Sequence, residues 1–239
     1  MRVLVLDTAL DACTVGVFDG VRQLAGQSEP MGRGHQEHIG VLVRACVQAS
    51  GGFEAIERIG VTVGPGSFTG LRVGLAFALG LGAALDRPVM GLSTLQALAA
   101  SVPGPDPVGP VASVIDARRG QVYLQTFLDG EPLDEPRPSE IAEARKALEA
   151  SGRAWTLIGS GAGLVAPEGG YVLASPVPSA SALARLTCDA DPETARPRPL
   201  YLRAPDATPP TRLPGQARPQ QARPQMAPLQ SGRRQTTPT

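Results

Sequence analysis

The stretch VLVLDTALDACTVGVFDG (residues 3–20) predicts two β-strands joined by a polar turn, the first strand ending at Asp7 and the second at an Asp-Gly hairpin signal. The stretch VASVIDARRGQVYLQTFLDG (residues 111–130) repeats this layout, with Asp116 in the place of Asp7. The interval from the first aspartate to the last glycine is 13 residues in one copy and 14 in the other. The match predicts an internal duplication.

The parallel extends beyond the two hairpins, because each is followed by an amphipathic helix and a further strand. In the first helix the apolar residues fall at i, i+3, i+4, i+7 and i+8: Ile39, Leu42, Val43, Cys46 and Val47. In the second they are Ile141, Ala144 and Leu148, after a predicted cap at Ser139. We therefore predict an α/β fold built from a duplicated β-β-β-α-β module, with lobes at residues 1–103 and 104–203.

Composition narrows the classes of function. The formal net charge is zero, so no global field attracts nucleic acid or an anionic membrane. Three cysteines lie far apart without a C-x-x-C pair, which favours reduced, buried thiols in a cytoplasmic protein. The N-terminus does not fit a signal peptide. The longest weakly polar run, residues 73–85, is 13 residues long and too short for a bilayer, so we expect no membrane association.

The last segment, residues 204–239, differs in composition from the rest. It contains eight prolines, five arginines, one acidic residue and no aromatic residue. Such a segment buries too little apolar surface to offset the entropy of ordering, so we predict a disordered tail. Its charge of +4 leaves −4 on residues 1–203.

A glycine-rich loop lies within GVTVGPGSFTGLRVG (residues 60–74), between a predicted strand and a predicted helix. Neither phosphate-binding pattern fits: Gly66 and Gly70 are one residue too close for a P-loop, and G-x-G-x-x-G is also absent. Two interpretations remain. The loop is a tight turn with Ser67 or Thr69 capping the helix, or it holds an anion at the helix start.

A strand that ends in aspartate can hold a metal ion or a water molecule beside phosphates. Two such modules face to face would form a cleft of the sugar-kinase and actin type. The candidate cleft residues are Asp7, Thr8, Gly66, Ser67 and Asp116. The alternative is that the aspartates shape turns, because Asp often accepts a hydrogen bond from the backbone two residues on.

Both histidines, His35 and His38, open the first helix at a spacing that places them on one face. With Glu37 or Asp7 they could hold a divalent metal, but a catalytic zinc site generally has three protein ligands. We therefore predict no metal site.

Five strings together resemble the TsaB (YeaZ) family, which is required for threonylcarbamoyl modification of adenosine 37 in tRNAs. They are LVLDT (4–8), GHQEHIGVLV (34–43), VTVGPGSFTGLRVG (61–74), PVMGLSTLQALA (88–99) and PLYLR (199–203). The resemblance implies two tandem RNase H-like lobes, the fold of actin, sugar kinases and Hsp70. The basic tail departs from the family pattern.

The resemblance also implies the absence of catalysis. The related catalytic subunit TsaD carries a metal-binding His-x-x-x-His where this chain has residues 92–97, which contain no histidine. A TsaB-like protein binds and activates TsaD, and the ATPase TsaE joins them. ATP and metal are then expected on TsaD, with no cofactor on this chain and only indirect contact with tRNA. Two alternatives are an ATP-dependent phosphotransferase using Asp7 and Asp116, and a metallopeptidase using His35 and His38.

In the family, the helices starting near Gln36 and Leu71 pack against the equivalent pair of TsaD or of a second copy. The second helix is apolar nearly all round, as is typical of a helix that needs two partners. The predicted interface residues are His35, Leu42, Phe68, Leu71, Arg72 and Leu75. The alternative is that this helix is buried entirely within its own lobe.

Overall fold

The predicted hairpin at the N-terminus is the centre of the first sheet in the computed structural model, which describes residues 1–104 and 109–203. The predicted tail at 204–239 lies outside the described residues. The five strands of this sheet are β1 (Arg2–Asp7), β2 (Ala12–Asp19), β3 (Arg22–Pro30), β4 (Arg58–Gly64) and β5 (Val89–Ser93). They are ordered β3-β2-β1-β4-β5, antiparallel from β3 to β1 and parallel from β1 to β5.

The second sheet begins with the repeat of the hairpin. Its strands are β6 (Pro110–Arg118), β7 (Gln121–Leu128), β8 (Glu131–Pro132), β9 (Arg137–Glu140), β10 (Thr156–Ile158) and β11 (Tyr171–Val172). They are ordered β11-β10-β6-β7-β8, and β9 also pairs with β7. β6 and β7 are antiparallel, whereas β10 and β11 run parallel to β6.

Helices follow several of the strands, and the sequence predicts three of them, the first, the second and the fourth. They are α1 (His35–Ala49), α2 (Phe68–Leu85), α3 (Thr94–Ala99), α4 (Ile141–Ala150), α5 (Ala162–Val165) and α6 (Ala180–Asp189), with a short 3-10 turn at Phe53–Ala55. The predicted cap at Ser139 is wrong. That residue lies in β9, and α4 begins after Glu140 without a side-chain cap.

The two sheets share one topology, which confirms the duplication. In each, an antiparallel three-strand meander is followed by a helix, and the later strands add in parallel beside the first strand. The second copy differs because its third strand is divided into β8 and β9. This is the arrangement of two tandem RNase H-like lobes, as in actin and the sugar kinases.

The central strand of the first sheet is buried on both faces. Leu4 and Leu6 pack with the apolar residues of α1 and α2, whereas Val3 and Val5 pack with those of α6. Alternate residues of a strand point to opposite faces, so the uniformly apolar run between Arg2 and Asp7 is the pattern expected of such a strand.

Helix α6 comes from the C-terminal half of the chain but packs on β1, β2 and β4 of the first sheet. Residues 1–104 and 109–203 form one compact unit by their contacts. The boundary between residues 103 and 104 therefore stays a prediction. All strands of the first sheet precede this boundary and all strands of the second sheet follow it. Helix α6 follows the boundary but covers the first sheet.

Helix α2 is longer than the apolar run that predicted it. Its 18 residues meet the length and composition of a membrane span. Core helices of water-soluble proteins meet the same criteria, and α2 packs against β4 and α1 in this chain.

Candidate functional site

Asp7 ends β1, and its side chain is fully buried. Its Oδ1 accepts hydrogen bonds from the Ala9 N–H at 2.9 Å and from the Thr62 hydroxyl at 2.7 Å. Oδ2 has no hydrogen-bond partner within the described part of the chain. Burial raises the pKa of Asp7, against weaker opposing effects of Thr62, Ala9 and His35. Asp7 thus shapes the turn after β1, which is the alternative to a cleft residue that the sequence left open.

The loop between β4 and α2 packs tightly on that same turn. Thr8 Oγ1 donates to the Gly70 carbonyl at 2.8 Å, and the Ser67 N–H donates to the Ala9 carbonyl at 2.7 Å. A Cβ atom at Gly66 would lie 2.3 Å from the Ala9 oxygen, and one at Gly70 would lie 2.0 Å from the Thr8 oxygen. The two glycines are therefore required because the loop before α2 and the turn after β1 approach each other closely. This packing explains both glycines without a bound ligand.

Ser67 caps α2, as one interpretation of the loop predicted. Its Oγ accepts a hydrogen bond from the Gly70 N–H at 3.2 Å, and its carbonyl accepts one from the Leu71 N–H at 2.9 Å. The capping residue is Ser67, and Thr69 lies inside the helix. Free backbone N–H groups are what attract an anion to the start of a helix. At least one of these groups, that of Gly70, already donates a hydrogen bond within the chain.

Asp116 occupies the position in β6 that Asp7 occupies in β1, but its surroundings differ. Its side chain is partly exposed, its Oδ1 accepts from the Arg118 N–H at 2.8 Å, and its Oδ2 lies 3.2 Å from the Arg118 guanidinium. Arg118 also forms an ion pair of 3.7 Å with Asp11 of the first lobe. Such exposed pairs contribute little to stability. Asp116 therefore shapes the turn between β6 and β7.

Apolar side chains fill the region where the two lobes meet. One buried cluster joins the turn after β1 and helices α2 and α3 to strands β6, β7 and β10 of the second sheet: Ala9, Leu10, Leu71, Leu95, Leu98, Ala99, Val111, Ile115, Phe127 and Ile158. Ala9 and Leu10 directly follow the Asp7-Thr8 pair, and Ile115 directly precedes Asp116. The turn after β1 and the second sheet are thus in direct contact through apolar side chains, which the sequence did not predict.

The two histidines have separate environments. His35 is buried, with Nε2 3.3 Å from the Leu10 carbonyl, whereas His38 is exposed and lies 3.1 Å from Glu29. Among residues 1–104 and 109–203, no three His, Cys, Asp or Glu residues are arranged to hold a metal ion.

Four of the six predicted interface residues lie inside this chain. His35, Leu42, Leu71 and Leu75 are between 1% and 7% exposed. Leu42 and Leu75 pack against the first sheet, and Leu71 packs in the cluster that reaches the second sheet, so the chain itself covers them. Only Phe68, which is 42% exposed, and Arg72 remain available at the surface. A helix that is apolar all round gives no sign in its sequence of which side faces inward.

The opposite side of α2 is exposed and largely apolar. It contains Phe68, Thr69, Arg72, Ala76, Leu79, Gly80 and Ala83, which we call the α2 face. Their spacing places them on one side of the helix. Leu79 is 45% exposed, and Val41 of the neighbouring α1 is 68% exposed. Leu79 was not among the predicted interface residues, although counting helical positions from Phe68 places it on the same side of the helix.

The α2 face continues into a groove at the end of the helix. This groove has a volume of about 520 Å³ and is lined by Leu79, Gly82, Ala83, Asp86, Arg87, Pro88, Val89 and Pro197. Most of the lining is apolar, so the surface able to receive a partner extends from Phe68 to the C-terminal end of α2.

Comparison with known proteins gives consistent matches. Residues 29–150 match the family described as TsaD, tRNA N6-adenosine threonylcarbamoyltransferase. The tRNA threonylcarbamoyladenosine biosynthesis protein TsaB of Escherichia coli K12 is 30% identical over 225 residues, covering 85% of this chain and 95% of that protein. The structure of YeaZ from Pseudomonas aeruginosa is 29% identical and superposes with a TM-score of 0.69, covering 84% of this chain and 99% of that one. These matches span both lobes.

Proposed function

The chain belongs to the TsaB (YeaZ) family, and on that premise we propose that it is a non-catalytic subunit of the machinery that adds threonylcarbamoyl to adenosine 37 of tRNAs. Its relatives in Escherichia coli, Haemophilus influenzae and Bacillus subtilis are named tRNA threonylcarbamoyladenosine biosynthesis proteins. In this proposal the chain binds and activates a TsaD-type subunit in the cytoplasm, and the ATPase TsaE joins the pair.

The observation that carries the proposal is the exposed α2 face. A helix on the surface of a monomeric protein normally turns a polar side to water. The α2 face instead offers Phe68, Ala76, Leu79 and Ala83, with Arg72 as its one charged residue. Contiguous exposed apolar surface of this kind marks interaction sites. A standard protein interface buries about 800 Å² on each partner, which α2 together with α1 and the adjoining groove is large enough to supply.

The nature of the partner follows from the family match. The residues that match the TsaD family, 29–150, include both α1 and α2. A TsaD-type protein therefore carries segments equivalent to these helices, and equivalent surfaces can pair about a twofold axis. The small residues Ala76, Gly80 and Ala83 allow the facing helix to approach closely. A second copy of this chain would use the same face, so a homodimer and the TsaD complex exclude one another.

Three features support a role without catalysis in this chain. Asp7 is buried and engaged with its own turn, the region between the lobes is filled by apolar side chains, and residues 92–97 contain no histidine. ATP and metal are then bound by the TsaD partner. Residues 1–203 carry a net charge of −4, so contact with tRNA is made through the partners. A phosphotransferase would need the apolar cluster between the lobes to open.

Substitution of Leu79 by aspartate tests the docking surface. We expect Leu79→Asp to weaken binding of the TsaD subunit from the same organism by at least about thirtyfold, because a charge would be buried at a centre of apolar contact. Leu133→Asp is the matched control, since Leu133 is 46% exposed but lies between β8 and β9. Calorimetric titration of each variant with TsaD gives the dissociation constants. Equal affinity of both variants and the wild type would contradict the proposal.

Reconstitution tests the function itself. Purified TsaD and TsaE should modify tRNA when the wild-type chain is present and should do so poorly when it is omitted. With Leu79→Asp in place of the wild type, tRNA modification should be as poor as without the chain. If the variant fails only because it binds TsaD weakly, an excess of it should restore part of the modification.

A further inference from the structure

The PLYLR motif at residues 199–203 follows α6, outside the helices and strands of the two sheets. It belongs to a segment, residues 195–203, that we call the C-terminal strap. The strap runs along the first sheet: the Gly91 N–H donates to the Ala195 carbonyl at 2.8 Å, and the Leu200 N–H donates to the Val63 carbonyl at 2.8 Å. It is therefore bound to β5 and then to the end of β4, immediately before the loop that starts α2.

The first sheet is shaped to receive the strap. A Cβ atom at Gly91 would lie 2.6 Å from the Arg196 carbonyl oxygen, and one at Gly64 would lie 2.7 Å from that of Leu200. Both distances are shorter than any real contact of a Cβ atom. The two glycines thus allow the strap to lie directly on the strand ends.

This course brings Tyr201 onto the α2 face. Its ring lies 5.2 Å from the ring of Phe68, centroid to centroid, at an angle of 36°. The Arg72 guanidinium lies 3.8 Å from the centroid of the Phe68 ring, and its Nε donates to the Tyr201 hydroxyl at 3.4 Å. Phe68 and Tyr201 are each 42% exposed. These three side chains form an ordered cluster at the surface.

The strap is also held beyond Tyr201. The guanidinium of Arg203 donates to the Ala117 carbonyl at 3.3 Å and to the side-chain oxygen of Gln121, both at the turn between β6 and β7. Tyr201 is thus fixed between Leu200 on one lobe and Arg203 on the other. Its position relative to Arg72 is set by both lobes.

We propose that Arg72, oriented by Phe68 and Tyr201, binds a carboxylate of the TsaD-type partner, and that Tyr201 is the positioning residue for this contact. The inference rests on the proposed function and extends its interface to the strap. Within the described residues no acidic side chain forms an ion pair with Arg72, and the one polar partner found for its guanidinium is the Tyr201 hydroxyl at Nε. Its terminal nitrogens are left to face a partner.

The chemistry of the cluster favours a carboxylate. A guanidinium stacked on an aromatic ring lies parallel to the ring face, and its N–H groups point outward past the ring edge. Two of them can then bind both oxygens of one carboxylate. Because Phe68 and Tyr201 already hold the Arg72 side chain in the free protein, less conformational entropy is lost when a partner binds. The cluster also adjoins Ala76 and Leu79, so an acidic residue at the end of the partner's apolar helix face would meet it.

Four variants test the proposal by calorimetric titration with TsaD at low and high salt. Arg72→Gln should weaken binding about tenfold at low salt and remove most of the salt dependence. Tyr201→Ala should weaken it to a similar extent, while Tyr201→Phe, which keeps the ring on Phe68, should remain within about threefold of the wild type. Tyr171→Ala is the matched control at an exposed tyrosine of β11 and should bind like the wild type.

The double variant separates positioning from packing. If Tyr201 acts through Arg72, Arg72→Gln combined with Tyr201→Ala should bind about as weakly as either single variant. A purely structural role of Tyr201 would lower the thermal midpoint of the isolated chain and leave affinity unchanged well below that midpoint, which would overturn the proposal.

Failure of this inference is distinguishable from failure of the proposed function. Loss of binding in Leu79→Asp with full affinity in Arg72→Gln and Tyr201→Ala would reject the carboxylate contact and keep the docking surface. Full affinity in all of them would reject both. If the isolated wild-type chain bound the anticodon stem-loop of a tRNA and Tyr201→Ala abolished it, the cluster would be an RNA-stacking site and the proposal would be wrong.

Discussion

Thr62 in β4 donates its hydroxyl to Asp7 in β1 at 2.7 Å, so the aspartate that ends one strand is held by the parallel strand beside it. The same carboxylate oxygen accepts the Ala9 N–H. These bonds explain why an aspartate is retained at a fully buried position. They also satisfy only one of its two oxygens, which leads to a prediction about pH.

Asp7 should make the stability of the protein fall with rising pH. Its pKa in the folded chain is raised from 3.8 because burial disfavours the carboxylate. The folded state therefore holds this proton more tightly, and the associated stability is present below about pH 4 and is lost as pH rises toward the folded pKa. Urea denaturation of the wild type and Asp7→Asn between pH 4 and pH 8 should show the variant gaining relative stability with pH. A difference that is constant with pH would contradict this.

Gly70→Ala should destabilise the chain. The added Cβ would lie 2.0 Å from the Thr8 carbonyl oxygen, and because this neighbour is backbone it has little room to adjust. We expect a loss of about 3 kcal/mol in the free energy of unfolding, measured by urea denaturation. A loss under about 1 kcal/mol would show that the loop can move away from the turn after β1.

Gly80→Ala is the counterpart of that substitution on the same helix. No atom lies within 4 Å of a Cβ placed there, and Gly80 is exposed. Replacing a helical glycine by alanine should stabilise the isolated chain by about 0.5–1 kcal/mol. On the proposed docking surface the same methyl group should keep the partner helix away, so binding of TsaD should weaken while the thermal midpoint rises. A gain in both quantities would argue against close helix pairing at Gly80.

The isolated chain should not bind ATP with a dissociation constant below about 1 mM. The apolar cluster that joins Leu10, Leu98 and Ile158 occupies the region between the lobes, and opening it would expose fully buried side chains. Calorimetric titration with ATP and Mg²⁺ measures this directly. Stoichiometric binding that is lost in Asp116→Asn would instead support the phosphotransferase alternative.

The cysteines should be unreactive in the folded protein. Burial, followed by the charges of Asp7 and Glu29, raises the pKa of Cys13 to about 11, and burial raises the pKa of Cys46 and Cys188 as well. Alkylation requires the thiolate, of which about 0.1% would exist at Cys13 at pH 8. Iodoacetamide should modify the native chain slowly and add three groups after unfolding in urea. Rapid modification of Cys13 in the native state would require local opening of β2.

Much of the fold could be predicted because its signals are local. The hairpins at residues 3–20 and 111–130 carry their strands, turns and chain reversal within about twenty residues, and their repetition is visible without any long-range contact. Ser67 could be named as a candidate cap because the capping bond spans three residues. The prediction at Ser139 failed where a tertiary pairing, β9 with β7, extended the strand to the residue before α4.

The burial of the predicted interface residues could be foreseen only in part, because orientation is not a local property. In α1 the helical periodicity placed Leu42 on the apolar face, and the structure packs this face against the first sheet. In α2 apolar residues surround the helix, so nothing in the sequence separated Leu71 and Leu75, which are buried, from Leu79, which is exposed.

The sequence by itself determined the duplicated α/β architecture and the elements that form it, because periodicity, turn residues and caps act over a few residues. The tertiary structure decided which side of α2 is left for a partner, that apolar residues fill the region between the lobes, and that Tyr201 lies beside Phe68 and Arg72. The first outcome depends on the packing of α2 against β4 and α1, and the other two depend on contacts between residues more than a hundred positions apart. Such contacts exist only after the two sheets have formed and the last segment has packed on the first.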